Sequence, residues 1–136
     1  MSEHYNQKYS EDEIKSFLEK VKDCIREDKF IVSTNENRQE NIDFINEYNL
    51  TNQRQKEILL SLEVEDLCHS LQNTNIGFEY EVLYVFCPQI TLHDIDDLEE
   101  IIDIYIKFNL IERQNGNRTI IISFHKRNRP IDYLFR

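Results

Sequence analysis

The chain has 136 residues, of which 40% are hydrophobic and 31% are charged, and its formal net charge is −10. This length suits one hydrophobic core, so we expect a single domain over residues 1–136. No segment approaches the roughly 20 apolar residues of a membrane span, and the polar N-terminus does not resemble a signal peptide. We therefore expect a cytoplasmic protein with no membrane partner.

The cysteine pattern argues against a disulfide framework and against a zinc site. Cys24, Cys68 and Cys87 are odd in number, and their spacing matches no zinc motif, even with His69 and His125 added. We expect reduced thiols and predict neither a bound metal nor a cofactor.

Charge is distributed unevenly along the chain. Residues 1–104 contain 9 Lys/Arg and 24 Asp/Glu, a net charge of −15, whereas residues 105–136 contain 7 and 2, a net charge of +5. The asymmetry favours an anionic contact confined to the C-terminal third. It equally fits an intramolecular arrangement in which the basic strand lies against acidic helices.

Apolar residues at helical spacing predict four N-terminal helices. Ser10 and Glu13 have the spacing of a capping box at the start of the first helix, and Thr51 is suited to cap the third. The first, second and fourth helices are predicted over residues 11–28, 38–48 and 64–71, and residues 30–32 form either an edge strand or an extended connector.

Alternating apolar residues after Gly77 predict a sheet. The expected strands cover residues 78–86, 101–111 and 119–126, with a short helix over the acidic segment 91–100 and a turn at residues 115–117. The fold class is α+β: N-terminal helices (1–76) packed on a three- to four-stranded antiparallel sheet (77–127), followed by a C-terminal tail (128–136).

The hairpin register decides which side chains share a face. A three-residue loop pairs Lys107 with His125 and Tyr105 with Arg127, whereas a two-residue loop sets Ile106 opposite His125. Burial favours the three-residue loop. The predicted core face then carries Ile102, Ile104, Ile106, Phe108, Leu110, Ile120, Ile122 and Phe124, and the polar face carries Tyr105, Lys107, Ser123, His125 and Arg127, joined by Glu81.

The polar face has the residue types that RNA cleavage without metal requires. An imidazole such as His125 or His69, the latter predicted at a helix end, transfers protons near neutral pH. A phenol such as Tyr105 stacks on a base or donates a hydrogen bond. Cations stabilise the charge that develops on phosphate, and the candidates are Lys107, Lys126, Arg127 and Arg129.

The order of four segments, ILLSLEVEDLCHS, LYVFCP, IYIKF and IIISFHK, resembles the MqsR-type mRNA interferases of the RelE/ParE toxin superfamily. The resemblance covers about residues 58–126 and implies a RelE-like fold and an RNA-cleaving toxin. Carried over position by position, the family's active-site lysine, glutamine, tyrosine and last-strand lysine fall on His69, Glu81, Tyr105 and His125.

The resemblance implies a toxin-like endoribonuclease that cleaves single-stranded RNA and is covered by a cognate antitoxin protein. Two departures leave an alternative open, because three of the four identities differ and the chain is acidic. The alternative is a non-catalytic binding or inhibitor module whose acidic surface binds a basic protein. The apolar tail residues Tyr133, Leu134 and Phe135 either fold back on the sheet or contact a second subunit, as in a homodimer.

Overall fold

The computed structural model describes residues 5–72, 76–77 and 81–136. Its helices are α1 (Glu11–Arg26), α2 (Gln39–Glu47) and α3 (Asn52–Leu60). Its strands are β1 (Tyr5–Asn6), β2 (Phe30–Val32), β3 (Leu67–Gln72), β4 (Val82–Phe86), β5 (Gln89–His93), β6 (Glu99–Ile111) and β7 (Arg118–Lys126). Within these described ranges, no helix has both the length and the apolar character needed to cross a bilayer.

The strands form one mixed sheet in the order β1-β3-β4-β6-β7-β2, and β5 pairs with the N-terminal part of β6. The edge strand β2 runs parallel to β7, and the other pairs are antiparallel. The predicted α+β class is confirmed. The predicted three to four antiparallel strands are too few, because the described residues contain seven and one pair is parallel.

The N-terminal helices form where local sequence favours them. Ser10 and Glu13 make both hydrogen bonds of the predicted capping box at the start of α1, and the Thr51 hydroxyl accepts from the Arg54 amide at the start of α3. The predicted bounds of α1 and α2 agree with the structure to within two residues at each end, and α3 begins directly after the predicted Thr51 cap.

One face of the sheet packs against the helices, and we call it the helix-side face. Ile104, Ile106 and Phe108 of β6 are fully buried there together with Ile14, Leu18, Val21 and Ile25 of α1. Burying each such side chain contributes roughly 1.5–3 kcal/mol, so this layer dominates the stability of the fold.

The opposite face, which we call the tail-side face, is covered in part by the C-terminal tail. Cys68, Val85 and Cys87 form a small buried cluster against which Ile131 and Tyr133 pack. The Tyr133 hydroxyl donates to the Cys87 carbonyl at 2.6 Å, and the Leu134 amide donates to the Leu67 carbonyl at 3.1 Å. The tail therefore folds back on its own sheet.

Two predicted helices are strands. Residues 64–71 were expected to be helical, but only Val64–Asp66 forms a 3₁₀ turn and the chain then enters β3. The segment 91–100 belongs to β5, a turn and the start of β6. In that turn the Asp94 carboxylate accepts from the Asp96 and Leu98 amides. Short apolar runs do not distinguish helix from strand, and pairing with β4 and β6 selects strand here.

The predicted hairpin register is wrong. Ile111 pairs with Arg118 across a six-residue loop. His125 pairs with Tyr105 and not, as predicted, with Lys107. An extra residue, Ile122, bulges from β7, so Ile121 is fully buried in place of the predicted Ile120 and Ile122.

A buried side chain from α2 stabilises this bulge. Asn41 donates to the Ser33 and Ile122 carbonyls and accepts from the Phe124 amide, each at 2.9 Å. The pairing of β2 with β7 ends at Val32, and the Asn41 amide satisfies the backbone groups beyond that point. Sequence rules for turns do not predict this contact, because it depends on how α2 packs against β7.

Most of the sheet predictions after Gly77 are confirmed. The predicted strand 78–86 is present as β4 from Val82, while Phe78–Tyr80 lie outside the described residues. The two long strands match β6 and β7, and the 30–32 segment is an edge strand.

Candidate functional site

The candidate site lies on the tail-side face, where cross-strand pairing brings polar residues from four strands into two rows. Residues directly opposite each other in an antiparallel pair share a face. One row runs from β3 to β7 as His69, Val85, Lys107 and Ser123, and the next contains Tyr105 beside His125.

Tyr105 and His125 form the aromatic centre of the site. Their rings stack with centroids 5.5 Å apart and planes 19° from parallel. The His125 Nδ1 lies 2.8 Å from the Lys126 carbonyl oxygen and 3.9 Å from a Glu40 carboxylate oxygen. In the neutral imidazole, a proton on Nδ1 donates to this carbonyl, which leaves Nε2 without a proton and able to accept one.

Lys107 is a half-buried cation without a carboxylate partner among the described residues. Burial lowers the pKa of its amine, and the positive charges of Arg38 and Arg129 lower that pKa further. The side chains of Arg38 and Arg129 also form no ion pair within the described part of the chain. The charges of Arg38 and Arg129 thus act on Lys107, and none of the three cations forms an ion pair among the described residues. A group of unpaired cations favours the binding of an anion.

Two other predicted cations are neutralised within the protein. Lys126 lies on the helix-side face, where its amine is 3.0 Å from Glu47 and packs over the Tyr48 ring. Arg127 is 3.3 Å from Asp103. Lys126 and Arg127 therefore form the ion pairs expected of an intramolecular arrangement, whereas Lys107 and Arg129 form none among the described residues.

His69 lies in a strand rather than at a helix end, and it is separated from His125 by β4 and β6. Three strand spacings and an offset of two residues along β7 put the two backbones about 16 Å apart. The His69 ring stacks on Tyr5 at a centroid distance of 4.0 Å. Burial lowers the pKa of His69, and the Asp132 carboxylate opposes that shift in part. At neutral pH His69 is therefore uncharged.

Glu81 lies away from this group. Its carboxylate accepts from the Asn109 side chain at 2.9 Å, four residues along β6 from Tyr105. At about 3.3 Å per residue, Asn109 is roughly 13 Å from the aromatic centre. The structure thus brings together Tyr105, Lys107 and His125, with His69 and Arg129 at one side, and leaves Glu81 apart.

Sequence reasoning missed Arg38 and Tyr5. Arg38 directly precedes α2, which contacts β7 through Asn41, and its positive charge acts on Lys107. Tyr5 belongs to the two-residue strand β1, which pairs with β3. No spacing pattern connects either residue with Tyr105, so only the folded chain identifies them.

The three cysteines are free and buried. Burial raises the pKa of the Cys68 thiol to about 12 and that of Cys87 to about 11. Both are therefore protonated at neutral pH. In the described residues, no three His, Cys, Asp or Glu side chains are grouped closely enough to share a metal ion.

Comparison with known proteins returns no relative on which to base a function. No protein-family model matches the chain, and neither a curated protein nor a solved structure does.

Proposed function

We propose that the tail-side face binds single-stranded RNA and cleaves it without a metal ion. The observation that carries the proposal is Lys107, a half-buried cation without an ion-pair partner among the described residues, flanked by Arg38 and Arg129. It lies in the row next to the stacked rings of Tyr105 and His125. Single-stranded RNA requires cations for its phosphates and aromatic rings on which its bases stack.

In this proposal His125 is the general base. Its bare Nε2 removes the proton of a 2′-hydroxyl, the resulting oxygen attacks the adjacent phosphorus, and the bond from phosphorus to the 5′-oxygen breaks. Lys107 stabilises the charge on the phosphate and donates a proton to the departing 5′-oxygen. Its lowered pKa makes the amine a better proton donor than an ordinary lysine. The products are a 2′,3′-cyclic phosphate and a 5′-hydroxyl.

His69 does not share the acid–base step in this proposal. A general acid or base must come within about 3 Å of the atom that it serves, and three strand spacings separate His69 from His125. Tyr105 keeps its proton because burial raises its pKa. It therefore positions the nucleotide through its ring and its hydroxyl donor.

The motif order that resembles the RelE/ParE toxins is consistent with this chemistry. As a toxin of that kind, the protein would have a cognate antitoxin whose acidic segment covers Lys107, Arg38 and Arg129. Co-expression would then suppress growth arrest.

The direct test is cleavage of an unstructured RNA in the presence of EDTA. Wild-type protein should release fragments that end in a 2′,3′-cyclic phosphate. His125→Ala should reduce the rate by roughly 10²–10⁴-fold, the usual contribution of general acid–base catalysis. His93→Ala is the matched control, because His93 is exposed at the end of β5 and its Nε2 lies 3.8 Å from Glu99. Intact RNA at enzyme excess, or equal rates for both variants, would contradict the proposal.

A second candidate function does not need catalysis, and it is favoured by the separation of His69 and His125, which prevents them from acting as an acid–base pair. If the face binds without cleaving, the protein is a non-catalytic module, and its acidic helical surface becomes the contact for a basic protein partner. The first turn of α1 presents exposed Glu11, Asp12 and Glu13. Such a contact weakens as salt is added, because exposed charges are screened. Salt-sensitive capture of a basic protein, unchanged in His125→Ala, would favour the module.

A further inference from the structure

A separate cavity opens at one side of the tail-side face. It has a volume of about 130 Å³ and lies between the N-terminal segment, β3, β6 and the C-terminal tail. Most of its lining lies outside the segments with toxin-like motifs. The residues used below are Tyr5, Gln7, His69, Tyr105, Arg129 and Asp132.

His69 forms part of the cavity wall, and only 6% of its surface is exposed. Its ring nitrogens are not among the enclosed polar atoms that lack a partner in the described residues, which are Asn109 Oδ1 and Thr119 Oγ1. The imidazole is therefore open to the cavity, where it can hydrogen-bond a ligand. Because His69 is uncharged at neutral pH, its ring offers one donor and one acceptor.

The walls of the cavity suit a flat ring. Tyr5 stacks on His69 with the two planes only 10° from parallel, and Tyr105 lines the cavity from β6. Gln7 is held by its amide, which donates to the Cys68 carbonyl at 2.8 Å. Aromatic walls of this kind bind unpaired bases by stacking.

The mouth of the cavity carries one charge of each sign. Arg129 and Asp132 are exposed and line the opening, and neither forms an ion pair among the described residues. The Asp132 carboxylate disfavours a simple anion at this position. A ligand edge with adjacent donors and acceptors satisfies both groups.

We propose that this cavity binds a single unpaired nucleobase of the RNA, and that guanine is the base it fits best. Guanine presents acceptors at O6 and N7 for the Arg129 guanidinium and N–H donors on its Watson–Crick edge for Asp132. With the base in the cavity, the attached phosphate lies towards Lys107, whose charge is already coupled to that of Arg129. The inference rests on the proposed function, since it takes RNA to be the ligand.

The test is calorimetric titration of the full chain with the four ribonucleoside 5′-monophosphates. Guanosine monophosphate should bind saturably and about tenfold more tightly than the cytidine nucleotide, the discrimination that a bidentate contact provides. Asp132→Asn and Arg129→Ala should each reduce that preference at least several-fold. Both positions are exposed, so the variants should fold. Arg113→Ala is the control, since Arg113 is equally exposed in the β6–β7 loop.

The outcomes separate this inference from ribonuclease activity. Saturable guanosine binding that depends on Arg129 and Asp132 supports the cavity even when the protein cleaves no RNA. Equal affinity for all four nucleotides, no binding, or binding unchanged in both variants would overturn it, even when His125-dependent cleavage is observed.

Discussion

The two faces of the sheet are built from alternate residues of the same strands, and they differ in almost every property. In β6, Ile104, Ile106 and Phe108 are fully buried under the helices, whereas Tyr105 and Lys107 between them are half-buried on the tail side. One face is hydrocarbon packed by three helices. The other carries ionisable groups beneath a short tail.

This difference means that the helix-side face contributes most of the stability, whereas the tail-side face carries the ionisable side chains. Removing atoms from the helix-side face leaves cavities in a close-packed interior. On the tail-side face, Lys107 loses hydration without gaining an ion pair among the described residues, so its charge opposes folding. A charge retained at a cost to stability is consistent with a binding role.

The largest effect should come from comparing two neighbours in β6. Ile106→Ala should lower the free energy of unfolding by about 2–5 kcal/mol, because it opens a cavity in the helix-side core. Lys107→Ala should change it by no more than about 1 kcal/mol. Urea denaturation measures both values. A larger loss of stability from Lys107→Ala than from Ile106→Ala would contradict the assignment of the stabilising core to the helix-side face.

The next effect concerns the bulge that separates the faces in β7. Asn41→Ala leaves buried backbone groups of Ser33, Ile122 and Phe124 without their partner, which should cost about 1–3 kcal/mol. Asn46→Ala, at an exposed position of the same helix, is the control and should change stability little. Equal effects of the two variants in thermal unfolding would show that Asn41 does not stabilise the bulge.

A smaller effect is expected where the tail covers the sheet. Tyr133→Phe removes the hydrogen bond to the Cys87 carbonyl and should cost about 0.5–1.5 kcal/mol. Amide hydrogen exchange should increase at Leu134, whose amide donates to the Leu67 carbonyl. Unchanged exchange at Leu134 would mean that this hydroxyl does not hold the tail.

The smallest effect is a pH dependence from His69. Burial lowers its folded-state pKa, so the unfolded chain binds the proton more readily, and stability falls as pH decreases through about 6.5, the ordinary value. His69→Asn should therefore lose less stability than the wild type between pH 7 and pH 5. His93→Asn, at an exposed position, should behave like the wild type. If His69→Asn lost more stability than the wild type between pH 7 and pH 5, the pH dependence would have the opposite sign and burial of His69 would not be its cause.

Sequence predicted the elements whose signals are local. The Ser10 capping box, the Thr51 cap and the alternation of β6 and β7 identify those elements from neighbouring residues alone. The same alternation correctly grouped Tyr105, Lys107, Ser123 and His125, because the register error near Tyr105 was two residues and preserved the faces.

The remaining features depend on packing between distant segments. The sequence of β3 fits a helix as well as a strand, and its pairing with β4 makes it a strand. The Ile122 bulge depends on a side chain from α2. The ion pairs of Lys126 and Arg127, and the approach of Arg38, join residues more than 20 positions apart. Composition revealed the C-terminal positive charge, but it did not distinguish paired cations from unpaired ones.

We propose the tail-side face as the RNA-binding surface, and amide chemical-shift mapping with a short unstructured RNA would test this assignment. We expect the largest shifts at Lys107, Ser123 and His125 and near Arg38 and Arg129, and we expect these shifts to disappear in Lys107→Ala. Shifts confined to the acidic surface of α1, or no shifts at saturating RNA, would contradict it.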